Sequence, residues 1–161
     1  MFNQLFQRIV ATEAGWAPLA LRIPAGIIFI AHGAQKLFGW FGGGGLQGTG
    51  EFMASIGLHP GYLMAFLAGA AEFFGGVALI VGLLVRPAGA VLAFTMLVAI
   101  FAVHFENGLF LSNGGYEFGL ALLGASVALT LSGAGRASVD EWLARRVTVT
   151  AAEPGVAKGV A

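Results

Sequence analysis

The sequence predicts an all-α fold: a transmembrane four-helix bundle of two related helical hairpins, with both termini cytoplasmic. Three observations carry this. The 161 residues are 58% hydrophobic and 10% charged, with a mean hydropathy of +0.86. A soluble domain carries about 25% charge, so lipid in place of water explains the deficit. Apolar stretches recur at about 18–38, 61–85, 87–105 and 116–131, near the length that crosses a bilayer as a helix. The 26 glycines supply the small side chains that let membrane helices approach closely.

Formal net charge is zero and cysteine is absent. The first gives no pull toward nucleic acid. The second excludes disulfides, thiol nucleophiles, cysteine-held iron–sulfur clusters and dithiol relays within the chain.

Residues 1–16 read as an interfacial segment, with Phe2, Leu5, Phe6 and Ile9 on one side of a short helix. Residues 17–133 form the transmembrane domain. The first helix carries Arg22, His32 and Lys36; at about 100° per residue they share one face. The glycine-rich stretch after it, GWFGGGGLQGTGEF, reads as a loop. It lacks the GxxxxGK[ST] pattern and follows a membrane helix rather than a strand, so it is no phosphate loop. The adjoining EFMASIGLHPGY is amphipathic and expected at the interface. The second helix holds Glu72, and Arg86-Pro87 is expected to end it and start the third, which stays apolar until His104. The fourth begins near Tyr116, with Glu117 at its start. Residues 134–161 form a tail in which Ser138 and Glu141 fit a capping box opening a short amphipathic helix. Arg8, Arg86, Arg136, Arg145 and Arg146 lie on the side of the termini, and Lys36 alone lies near the opposite face. The positive-inside rule therefore places both termini in the cytoplasm.

An internal repeat pairs the hairpins. IAHGAQKLF (30–38) parallels AVHFENGLF (102–110), and AEFFGGVALIVG (71–82) parallels YEFGLALLGASV (116–127). His32 is thereby matched with His104 and Glu72 with Glu117. Glu72 lies 14 residues before Arg86, Glu117 14 before Leu131, His32 14 after Pro18 and His104 17 after Pro87. At about 1.5 Å per residue all four fall in one layer, roughly 20–25 Å from the cytoplasmic end.

Ionisable groups at such depth face a bundle interior and have a partner or a task. His32, Lys36, Glu72 and Glu117 are the candidates for proton transfer. His32, Lys36, Glu72, His104, Arg22 and Arg86 are the candidates for holding a ligand. The bland alternative is a layer that only orients the helices, for about 1 kcal/mol per polar contact. No metal is expected, since the Glu-x-x-His pairs of di-iron bundles are absent. Haem ligation by His32 and His104 would set two carboxylates beside the macrocycle, a poor fit. No serine sits on the strained turn that Ser/His/Asp chemistry needs.

These residues carry a resemblance. AHGAQKLFGWFGG, GAAEFFGGVALIVGLLVRPAG and HFENGLF…GGYEFGLALL resemble the DoxX family of small bacterial membrane proteins across roughly residues 18–133. The resemblance implies a four-helix inner-membrane protein. Relatives are linked to quinone-coupled oxidation of sulfur compounds, quinol oxidase assemblies and a membrane complex for oxidative-stress resistance. The motif positions carried over are His32, Gly33, Lys36, Glu72, Gly76, Arg86 and Glu117. The lack of cysteine argues against a self-contained thiol relay.

The first functional expectation is a quinone-linked membrane redox subunit. In it, Lys36 or His32 bonds the quinone head group and Glu72 or Glu117 exchanges the proton. The second is a small-molecule or proton-coupled transporter, which four helices would require to oligomerise. The third is a non-catalytic anchor or assembly factor. The expected partners are the lipid bilayer, redox proteins and further copies of the chain.

Overall fold

The computed structural model describes residues 9–10 and 14–151, with side chains through Arg146. The predicted interfacial helix with Phe2, Leu5 and Phe6 lies outside the described residues. Among those described there are six α-helices: α1 Ala17–Phe38, α2 Gly45–Ser55, α3 Gly61–Val81, α4 Val85–Ala99, α5 Glu117–Ser132 and α6 Val139–Ala151. The fold is all-α. Three helical stretches are long and apolar enough to cross a membrane: α1, α3, and α4 with its continuation to Asn107. The shorter apolar α5 has 16 residues, or about 24 Å.

α1 packs chiefly on α3, and α4 on α5, as two hairpins would. The α1–α3 contact is made by glycines seven residues apart on each helix. A Cβ on Gly26 would meet the Gly76 carbonyl, and one on Gly33 would strike the backbone of Gly69 and Phe73. The same face of each helix therefore reaches the other twice, two turns apart. Phe29, Leu79, Leu92, Leu122 and Leu129 fill the centre. Large apolar side chains also point outward, including Phe74, Phe94 and Phe101, as suits a solvent of lipid.

Two boundaries differ from expectation. The glycine-rich stretch is not all loop, because α2 begins at Gly45. Glycine is a poor helix former, but packing overrides this: a Cβ on Gly50 would press on Tyr62, and one on Gly61 on the Gly50 carbonyl. α3 stops at Val81 rather than 85. Gly82 adopts the left-handed conformation and donates its N–H to Ala78, a glycine stop. Arg86 and Pro87 consequently lie inside the first turn of α4, where proline's missing N–H costs nothing.

The other end of α4 widens. Ile100–His104 form a π turn, in which the N–H of Phe105 reaches back to the Ile100 carbonyl. The following loop folds onto α5: Gly108 accepts from the Tyr116 N–H at 3.0 Å and Leu109 from that of Glu117 at 2.9 Å.

α6 closes the end opposite α2. Ser138 Oγ accepts the N–H of Glu141 at 3.1 Å, the first half of the expected capping box. The Glu141 carboxylate is used instead for Arg145, at 2.7 Å.

Candidate functional site

Lys36 and Glu72 form an ion pair between α1 and α3, with Nζ 2.6 Å from Oε2. Their side chains are 24% and 4% exposed. The approach of Gly33 to Phe73 brings the two helix backbones together one turn from Lys36. A lysine stem then runs along α3, and its Cβ lies against Gly69. Local sequence thus fixes the pair: small residues where the helices cross, and charge one turn beyond.

The pair borders a cavity of about 110 Å³ whose lining includes Phe29, His32, Met96, His104 and Phe118. The ring of His32 lies 6.0 Å from that of Phe118, tilted by 47°. His104 ends the π turn, and its Nδ1 lies 2.7 Å from the carbonyl oxygen of Gly114. A carbonyl only accepts, so Nδ1 carries a proton and donates it to Gly114. The π turn thus sets His104 near the end of the third long apolar stretch. A second cavity of about 180 Å³ lies between α2, α3 and α4; it shares Lys36, Glu72 and His104 with the first and is otherwise mostly apolar, with Phe52, Met53 and Val98.

Four of the residues singled out in the sequence are therefore brought together: His32, Lys36, Glu72 and His104. Three are not. Glu117 is absent from the cavity lining, and its Oε1 accepts the N–H of Leu111 at 2.6 Å, fastening the loop before α5. In the expected repeat the position matching Lys36 is Gly108, which offers Glu117 no cation. Arg22 and Arg86 sit at the far end of the bundle. Arg22 is fully buried and donates to the carbonyls of Leu79, Ile80, Arg136 and Ala137. Arg86 donates to those of Thr130 and Leu131. Both serve helix ends and chain turns, whose carbonyls lack helical partners. No cluster of three metal-ligating side chains occurs among the described residues.

Sequence reasoning missed Asp140. It is buried, and its two oxygens accept the N–H groups of Leu84 and Val85 at 2.7 and 3.0 Å. Burial pushes its carboxyl above the usual aspartate range, against the pull of these bonds and of the Arg22 and Arg86 charges. A signal was available. Leu84-Val85-Arg86-Pro87 contains no capping residue of its own, so the start of α4 had to borrow one.

Long apolar helices, outward-facing phenylalanines and a charged pair held between two of the helices define a helical membrane protein with an intramembrane polar site. Comparison with known proteins supplies the family. The DoxX family profile matches residues 17–105, and the chain belongs to that family. It is 37% identical over 125 residues to the Bacillus subtilis (strain 168) protein named "Putative oxidoreductase CatD", covering 78% of this chain and 85% of that one. It is 31% identical over 134 residues to "Inner membrane protein YqjF" of Escherichia coli (strain K12), covering 80% and 92%. No solved structure matches.

Proposed function

We propose that this DoxX-family protein is the membrane subunit of a quinone-linked redox system in the bacterial inner membrane, and that the cavity beside Lys36 and Glu72 receives the quinone head group. The observation that carries this is the ion pair itself. A buried carboxylate midway along one span and a lysine in the last turn of another border a space of about 110 Å³. An apolar cavity of about 150 Å³ elsewhere admits benzene, so the space is close in scale to one ring.

The donor set suits a quinone and its reduced form. Lys36 Nζ can donate to a carbonyl oxygen, and in the neutral ring of His104 Nε2 can accept from a hydroxyl. A bound quinone supplies two-electron chemistry. The chain's own residues hold the head group and take or give protons, with Glu72 the exchanging acid and Lys36 its counter-charge. Electrons come from a partner redox protein, since a cysteine-free chain has no dithiol relay. A relative named as an oxidoreductase supports the class, and one named as an inner membrane protein supports the location. On this reading the shorter α5 is a fourth span and both termini are cytoplasmic; the arginines near Arg22 and α6 support that orientation through the positive-inside rule.

The test is organic extraction of the purified, detergent-solubilised protein, with mass spectrometry for quinone. Bound quinone in stoichiometric amount, lost in Glu72→Gln and in Lys36→Ala, is the expected result. A well-folded sample that neither retains quinone nor binds an added short-chain analogue overturns the reading.

A further inference from the structure

The Lys36–Glu72 pair has more hydrogen-bonding capacity than it uses. Nζ gives one N–H to Oε2, and among the described residues no protein group bonds Oε1 or takes the other two Nζ protons. Yet Glu72 Oε1 is not both sealed off and unpartnered, and the Lys36 side chain is 24% exposed, so the unused groups have room to meet water. Charges within a span are tolerated where they pair or meet water.

Lys36 also borders a wide, open cleft of about 330 Å³, walled by Gln35, Gly43, Gly44, Gly48, Thr49 and Phe52. Its surface is more apolar than polar, but the Gln35 amide, the Thr49 hydroxyl and glycine backbone offer water its partners. The cleft lies where α2 folds over the end of α1, the end remote from Arg22. Its near wall is held tight, since a Cβ on Gly43 would strike the backbone of Gln35. Its far wall has room, with nothing within 4 Å of a Cβ on Gly48. Between the pair and the other end of α1, the buried Phe29, Leu79 and Leu129 and then the Arg22 guanidinium fill the interior.

We propose that this cleft is the aqueous access to the Lys36–Glu72 pair. Water enters from the face that carries α2, and protons bound or released at the pair exchange with that face, not with the face that carries α6. The titratable groups beside the pair are His32 and His104; α2 and α5 contribute none to the three spaces. The inference goes beyond the quinone reading and does not depend on it.

The chain has no cysteine, so single-cysteine variants report cleanly. Ala99 lines both inner cavities together with Lys36 and Glu72. The full-length Ala99→Cys protein, tagged after Ala161, is reconstituted in liposomes and treated with the membrane-impermeant anionic reagent 2-sulfonatoethyl methanethiosulfonate from either side. Modification is expected only from the side opposite the tag, and Gly48→Trp in the same background should slow it by more than an order of magnitude. The proposal is overturned if Ala99→Cys reacts from the tagged side, if Gly48→Trp leaves its rate unchanged, or if it stays unmodified while Thr49→Cys, in the cleft wall, reacts. Sidedness needs no blocking variant, so the test stands even if Gly48→Trp does not fold.

Discussion

The guanidinium of Arg22 donates through Nη2 to the carbonyl oxygen of Ala137 at 2.5 Å, across 115 positions of sequence. Ala137 has a positive φ of 55°, and the same side chain reaches Leu79, Ile80 and Arg136. One buried cation thus joins the first span, the α3–α4 turn and the tail. Arg22→Met leaves these carbonyls unpaired and should cost on the order of 3 kcal/mol, read as a lower melting temperature in detergent. Arg22→Lys should recover only part, because an ammonium cannot fork to so many acceptors. Neither should displace a ligand from the cavity, since 14 residues of helix, about 21 Å, separate Arg22 from Lys36. Specific loss of ligand in a fully stable Arg22 variant would return this residue to the binding site.

Asp140 gives the bundle a pH signature. Its folded-state affinity for a proton is raised, chiefly by burial. The folded state then holds the proton over a pH range where the unfolded chain has lost it. Stability is fullest below the ordinary aspartate value and falls as pH rises toward the shifted one, then levels off. That slope should be present in the wild type and flattened in Asp140→Asn, by thermal unfolding across the acidic range. Asp140→Ala removes both acceptors from the Leu84 and Val85 N–H groups and should destabilise by about 1–3 kcal/mol near neutrality.

Gly33 sets the spacing on which the ion pair depends. Gly33→Ala must push α1 from the Phe73 backbone, at a cost of about 1–3 kcal/mol for overpacking. It should weaken ligand retention as well, because Lys36 lies one turn further on the displaced helix. Gly124→Ala is the control. Nothing lies within 4 Å of its Cβ, so the change should be neutral or stabilise by up to about 1 kcal/mol. Equal melting temperatures for the two variants would remove the close crossing as the cause.

The apolar helices were legible because lipid solvation is a strong, additive signal: 18–38 was expected, and α1 spans Ala17–Phe38. α2 was not, because its glycines argue locally for loop, and only the packing of Gly50 on Gly61 and Tyr62 makes them helical. Depth placed His32, Glu72, His104 and Glu117 in one layer; the structure brings the first three around one cavity with Lys36 in place of Glu117. Arg22 and Arg86 were expected at the inner end and lie there; the carbonyls each serves were not legible, because a helical face does not say which chain turn folds onto it. Glu117 was expected beside Glu72 from the repeat, and only the Lys36–Gly108 mismatch in that repeat hinted otherwise.

That mismatch yields a direct comparison of the two carboxylates. Glu72 is held by Lys36 inside the bundle and lines both inner cavities, whereas Glu117 anchors a loop through the Leu111 N–H. Glu72→Gln should abolish ligand retention with little change in melting temperature, because the amide keeps an acceptor for Lys36. Glu117→Ala should do the reverse: ligand is kept, and stability drops by about 1 kcal/mol for one partly exposed hydrogen bond. Quinone extraction and thermal unfolding on the same preparations read both effects. If Glu117→Ala loses ligand as completely as Glu72→Gln does, the repeat carries function in both halves, and α5 must bring Glu117 to the cavity in a conformation other than this one.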